Sequence, residues 1–212
     1  MPSAALHIHR RNHETEVKIS CPDLRKFKRN LREAGFRLTH PRALEDNFLF
    51  DSPNRDLRLK RSLLRLRRYG SQWFLTFKGT PAPDPHYKSR LELELEIQQP
   101  REIALILQAL GFHPVFRYQK FRSLYAASHS KSKSKPHASV EVFVDETPIG
   151  NYLELEGSRS SIDQVARTLG FSKQDYLTAS YGALYLEDCI KKKIPAGNMV
   201  FPRFSKRPLT DF

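Results

Sequence analysis

A chain of 212 residues, 39% hydrophobic and 28% charged, can bury a sizeable core as one large domain or two small ones, and no apolar run approaches the roughly 20 residues a membrane helix requires. The formal charge of +13 and a pI near 9.9 point towards anions, without separating nucleic acid from nucleotides or polyphosphate. Two cysteines, Cys21 and Cys189, exclude a disulfide framework and a metal knuckle, and "MPSAALHIHRRNH" lacks the apolar core of a secretion signal, so a cytoplasmic protein is expected.

Residues 1–12 read as an N-terminal extension, where His7 and His9 with nearby His13 suit a frayed terminus better than a metal site. "HETEVKIS" (13–20) alternates Glu14, Glu16 and Lys18 with Thr15, Val17 and Ile19, a strand with one charged and one apolar face. "CPDLRKFKRNLREAGF" predicts a helix, with Pro22 in its first turn and Gly35 as its stop. Strands follow over 45–51, 62–69 and 71–79, then the proline-rich loop "GTPAPDPH", which cannot be a central strand. A strand over 87–97 leads to the helix "QPREIALILQALGF", with Pro100 at its start and Gly111 at its end. Strands over 116–127 and 139–146 flank the basic low-complexity run "SHSKSKSKPHAS", whose residues 128–138 read as a flexible insert. After a strand over 151–157 comes the helix "SSIDQVARTLGF", capped by Ser160 or Ser161 and stopped by Gly170. The last helix, "TASYGALYLEDCIKKK", carries lysines at the negative end of its dipole. Residues 191–212 read as an extended, mobile tail. The recurring "GF" at Phe36, Phe112 and Phe171 hints at a duplicated unit.

Eight strands joined mostly as neighbours, with helices between, predict a largely antiparallel α+β fold. Read at period two, one set of faces carries Glu14, Glu16, Lys18, Arg65, Arg67, Lys78, Lys88, Arg90, Glu92, Glu94, Glu96, Lys120, Arg122, Glu141, Asp145, Glu154 and Glu156. The other set is apolar. A sheet wetted on its charged face is the usual reading for any one strand. Eight strands also suffice to close a small barrel. With helices over the apolar outside, the charged faces become the lining of a tunnel, tolerable only if the ions pair, hydrate or bind a ligand. The lining holds eight basic and nine acidic residues, against 36 and 23 in the chain. The protein's net positive charge therefore lies outside it. A nucleic-acid groove would be mostly Lys and Arg with stacking aromatics, so nucleic acid is disfavoured as a partner, and a mixed lining suits a cation bound together with an anion.

Same-face residues on a strand are about 7 Å apart, so paired glutamates can reach towards one cation. Oxygen ligands suit Mg²⁺ or Mn²⁺, which let phosphate and water complete the shell. Arg65, Arg67, Lys78, Lys120 and Arg122 offer forks and point charges to a chain of phosphates. No glycine-rich phosphate loop is present. Tyr69, Trp73 and Tyr118 suit packing better than contact with a base.

"ETEVK" fits the E-x-E-x-K signature of the CYTH superfamily, the triphosphate tunnel metalloenzymes. The order of "LLRLRRY", "LTFKG", "LELELE", "RYQKFRSLY", "VFVDETPIGNYLELEG" and "LTASYGALY" extends the resemblance over about residues 13 to 186, most like the bacterial class IV adenylate cyclase branch. The resemblance implies an eight-stranded antiparallel β-barrel, a tunnel that binds a nucleoside triphosphate or tripolyphosphate with Mg²⁺ or Mn²⁺. It places a CYTH-type catalytic domain over 13–190. Glu14, Glu16, Glu154 and Glu156 match metal-binding carboxylates, and Lys18, Arg65, Arg67, Lys78, Lys120 and Arg122 match triphosphate-binding cations. Glu14, Glu16, Lys18, Lys120 and Asp145 fall at the catalytic centre. Some relatives add a lysine near the C-terminus that acts on the attacking water; Lys191 to Lys193 read instead as a helix end.

The reading is a class IV adenylate cyclase-like enzyme that turns ATP into cyclic AMP and pyrophosphate. Its alternatives are a triphosphatase that releases the terminal phosphate, or a non-enzymatic binder of polyphosphate or RNA. No membrane partner is expected, and a homodimer is compatible with the sequence.

Overall fold

A computed structural model describes residues 13–127 and 140–204. The N-terminal extension, the basic insert and residues 205–212 lie outside the described residues. The strands are β1 (His13–Ser20), β2 (Phe36–Asp51), β3 (Leu63–Tyr69), β4 (Gln72–Lys78), β5 (Lys88–Ile97), β6 (His113–Ala127), β7 (Glu141–Thr147), β8 (Gly150–Glu156) and the two-residue β9 (Tyr176–Leu177). They form one sheet in the order β5-β4-β3-β2-β6-β7-β8-β1-β9, and a further β1–β5 pairing closes the first eight into a barrel. All paired strands run antiparallel.

The helices are α1 (Leu24–Glu33), α2 (Asp56–Leu59), α3 (Pro100–Ala109), α4 (Arg159–Thr168) and α5 (Tyr181–Lys192). Chain order therefore repeats strand, helix and three-stranded meander, as β1-α1-β2-β3-β4, with the single-turn α2 between β2 and β3, and again as β5-α3-β6-β7-β8. Each half lends its opening strand to the other: β1 pairs with β8, and β5 with β4. The "GF" repeats have a shared geometry. Gly35, Gly111 and Gly170 end α1, α3 and α4 at φ +87, +88 and +87°, a left-handed conformation that glycine adopts without steric cost. Each following phenylalanine turns back into the apolar cover.

Four local expectations change. β2 starts at Phe36 rather than 45, because its ladder with β6 absorbs Pro41 where the register slips between His40 and Ala43; a proline has no N–H to give a ladder, and an irregular step asks for none. Helix α1 is capped by Asp23, which accepts from the Lys26 N–H at 3.0 Å, with Pro22 left outside. Ser158, not Ser160 or Ser161, caps α4. Part of the tail is held: the Met199 N–H donates to the Arg117 carbonyl and the Met199 carbonyl accepts from the Gln119 N–H, which adds a short segment to the edge of β6.

The core lies outside the barrel wall. Helices α1 and α4 set Phe27, Leu31, Ile162 and Val165 on Val17, Val142, Val144, Leu153 and Leu155 of β1, β7 and β8. Helix α3 sets Ala104 and Leu107 on Phe48, Phe50, Leu66 and Ile97. Each fully buried side chain of this size contributes about 1.5–3 kcal/mol, which drives the period-two faces apolar-out. The cover is incomplete over β5, where Leu93 and Leu95 are each 46% exposed. No helix among the described residues is long and apolar enough to cross a membrane.

Candidate active site in the barrel interior

Closure turns the charged faces inward around a cavity of about 1040 Å³, whose walls include Glu14, Glu16, Lys18, Arg65, Arg67, Lys78, Lys120, Arg122, Glu154 and Glu156. The residues expected to share a site therefore line one cavity. β1 supplies three of them on successive inward positions, as its alternation requires. Asp145 is wholly buried behind this surface and reaches the cavity only through its partners.

At one end α5 lays Tyr181 across the barrel. Its hydroxyl donates to Asp145 Oδ2 at 2.6 Å, and its ring carries the Lys18 and Lys120 ammonium groups at 5.2 and 4.9 Å from the centroid. Lys120 Nζ also donates to Asp145 Oδ2 at 3.0 Å, and Arg122 grips both Asp145 oxygens. Leu184 and Tyr185 of α5 complete the closure against Phe116 and Tyr152. Every charge at this end is answered by a neighbour.

In the middle of the tunnel, arginine and carboxylate interleave. Arg67 bonds Glu94 at 2.7 Å and Glu45 at 3.3 Å, while Arg65 shares Glu94 and Thr76. Arg122 reaches past Asp145 to Glu154. Burial would raise the carboxyl of Glu45, but Lys120, Arg122 and Arg67 hold it far below the ordinary range. Burial likewise opposes the same descent at Glu16, and Lys18 with Lys88 drives it. Glu154 follows it under Arg122, Lys120 and Lys18.

The opposite end is unbalanced. Burial pushes Glu14 up to about 7; Lys78 at 2.5 Å lowers it, and Glu16 and Glu92 raise it again. Glu156, facing Glu16 across the β1–β8 ladder, rises to about 9 by burial and by the charge of Glu14. Lys88 falls to about 8, since its burial and the repulsion of Lys18 and Arg90 outweigh Glu16 at 3.3 Å. Perturbed groups gathered in one cavity mark a candidate catalytic site.

Sequence reasoning passed over two contributors. Glu45 lies inward at 0% exposure, and the alternation of β2 would have shown it, because Phe48 and Phe50 define its outward face. Tyr181 is the first residue of a helix and carries no periodic signal. Trp73 faces outward and stacks on Phe48, whereas Tyr118 lines the cavity and its hydroxyl accepts from Arg65 at 3.3 Å. Lys191 to Lys193 are exposed at the end of α5, away from the tunnel.

The CYTH domain family model matches residues 12–181. The chain belongs to the CYTH family. A Methanocaldococcus jannaschii protein, named as a candidate adenylate cyclase, is 30% identical over 178 residues, which span 79% of this chain and 95% of the relative. The solved structure of a Pyrococcus horikoshii protein superposes with TM-score 0.66 at 26% identity, covering 82% of this chain and 98% of the other. A Hippeastrum structure, described as a candidate adenylyl cyclase with dominant triphosphatase activity, gives TM-score 0.56 at 20% identity over 86% and 97% of the two chains; it shares the fold.

CYTH membership implies a divalent cation. Among the described residues, no three carboxylate, histidine or cysteine side chains converge into a preformed cage. The donor set still fits a hard cation of the Mg²⁺ kind, which takes one or two carboxylates and leaves phosphate and water to finish its shell. Glu156 makes no ion pair among the described residues, and Glu14 shares its one cation, Lys78, with Glu92.

Proposed function

We propose that this CYTH protein is a divalent-metal-dependent enzyme acting on a triphosphate, with adenylate cyclase chemistry on ATP. One observation carries the reading: a single cavity joins a wall of buried cations to the carboxylates of Glu14, Glu16, Glu154 and Glu156. Glu14, Glu16, Glu154 and Glu156 would hold the metal, Mg²⁺ or Mn²⁺, which neutralises phosphate charge. Arg65, Arg67, Lys78, Lys120, Arg122 and Lys18 bind the phosphate chain, positioned before substrate arrives by their ion pairs. Asp145 fixes Lys120 and Arg122. Positioning and electrostatics supply most of the catalysis in phosphoryl transfer. The ribose 3′-hydroxyl then attacks the α-phosphorus and gives its proton to water, and the bond to the bridging oxygen breaks to release pyrophosphate and cyclic AMP.

The activity ascribed to the Hippeastrum protein favours a second reading on the same residues, with water attacking the terminal phosphorus to release orthophosphate. A binder of polyphosphate or RNA is the non-enzymatic alternative. Incubation with ATP and with tripolyphosphate, each with Mg²⁺ or Mn²⁺, separates the three. Cyclic AMP with pyrophosphate supports the cyclase, orthophosphate the triphosphatase, and no product with either substrate defeats the enzymatic reading.

A further inference from the structure

Eight lysines and arginines of the described residues are buried to about nine-tenths or more, and seven are ion-paired. The exception is Arg90. It is 6% exposed, it lines the cavity, and its Nε has no hydrogen-bond partner. Neither an ion pair nor a hydrogen bond joins its guanidinium to any carboxylate of the described residues.

The neighbourhood explains why none does. Glu14 lies across the β1–β5 ladder from Arg90, but its carboxylate is taken by Lys78 at 2.5 Å. Glu92 is taken by the same lysine at 2.7 Å. Lys88, two residues away on the same face, adds charge of the same sign and is committed to Glu16. A guanidinium cannot escape the cost of burial by losing its proton, and a buried charge without a partner destabilises the fold that holds it. The strand nevertheless keeps Arg90 on its inward face.

We propose that Arg90 anchors the phosphoryl group lying beside Glu14 and Glu156, so that its charge is matched only when substrate enters. The assignment rests on the triphosphate reading. The planar fork takes two phosphate oxygens at once, and its place across the ladder from Glu14 puts that phosphoryl group where a cation held by the carboxylates shares it. Arg90 thus differs from the paired cations, which must loosen existing partners to meet phosphate.

The test uses the full chain as wild type, Arg90→Gln and Arg90→Lys. Equilibrium titration with tripolyphosphate and Mg²⁺ gives affinity, and thermal melting is recorded with and without that ligand. Arg90→Gln should melt above wild type without ligand, and should bind tripolyphosphate roughly 10- to 100-fold more weakly, as expected for loss of hydrogen bonds to a charged group. Arg90→Lys, which keeps the charge and loses the fork, should fall between the two. Equal affinity of Arg90→Gln and wild type overturns the assignment. So does a lower melting point for ligand-free Arg90→Gln, because it reveals an internal partner. Wild type that neither binds nor is stabilised by tripolyphosphate sinks the triphosphate reading, and this assignment with it.

Discussion

The two ends of the tunnel are built from similar residues and do different work. At the Tyr181 end, Asp145 holds Lys120 and Arg122, Glu154 holds Lys18 and Arg122, and the Tyr181 ring lies against both lysines. At the Glu14 end, carboxylates crowd carboxylates and keep protons near neutral pH. Buried ions are tolerated where the geometry answers each one, and breaking such a set is costly. Where the answer is left incomplete, a ligand can complete it. On the proposed function, the Tyr181 end holds phosphate-binding cations in place, and the Glu14 end receives the metal.

Asp145→Asn and Glu16→Gln test that division most severely. Asp145→Asn leaves Arg122 and Lys120 buried with a neutral neighbour, and should lower unfolding free energy by about 3–5 kcal/mol in denaturant titration. Glu16→Gln should stay folded by circular dichroism while metal-dependent turnover falls on the order of 10²–10³-fold, the scale seen when one electrostatic contact to a transition state is removed. Normal rates in Glu16→Gln would strip the Glu14 end of its metal role.

Acid and base sharpen the same contrast. Glu14 and Glu156 have folded-state values raised above the ordinary 4.5, so the folded protein holds more protons than the unfolded chain between about 4.5 and 9. Stability from these groups is therefore lost as pH rises through 7 and 9. Glu16, Glu45 and Glu154 are depressed, and their contribution is lost only on acidification below about 4.5. Melting temperature without metal should decline from pH 6 to pH 9, and Mg²⁺ should raise it more at pH 9 than at pH 6. An equal Mg²⁺ effect at both pH values would detach cation binding from these carboxylates.

The smallest effect should come from Tyr181→Phe. Asp145 keeps Lys120 and Arg122, so loss of one hydroxyl should cost about 0.5–1.5 kcal/mol of stability, read by denaturant melts. A change in turnover larger than that stability loss would move Tyr181 from the closed end's structure into the chemistry.

Much of this was legible because one rule, side chains alternating across a strand, was enough to sort the lining from the cover. Glu14, Glu16, Lys18, Arg65, Arg67, Lys78, Lys120, Arg122, Glu154 and Glu156 all fell on the inward side. The rule fails where it lacks input. The start of β2 hides behind Pro41 and polar residues, and Tyr181 belongs to no repeat. Alternation is also blind to what covers a face: Leu93 and Leu95 follow the same pattern as Leu153 and Leu155, yet the first pair is half exposed and the second fully buried. Which carboxylate answers which cation depends on strand register, and that left Arg90 indistinguishable from its paired neighbours until the sheet was closed.

The exchange of opening strands between the two halves sets a schedule for the protein's making. Glu16 meets Glu156 across a ladder that joins the start of the domain to its far end, and contacts so distant in sequence form late and slowly. A nascent chain halted before β8 owns half of the acidic cluster and a gaping seam. Neither half of the gene could have encoded this centre alone, and no proteolytic fragment lacking either opening strand inherits it.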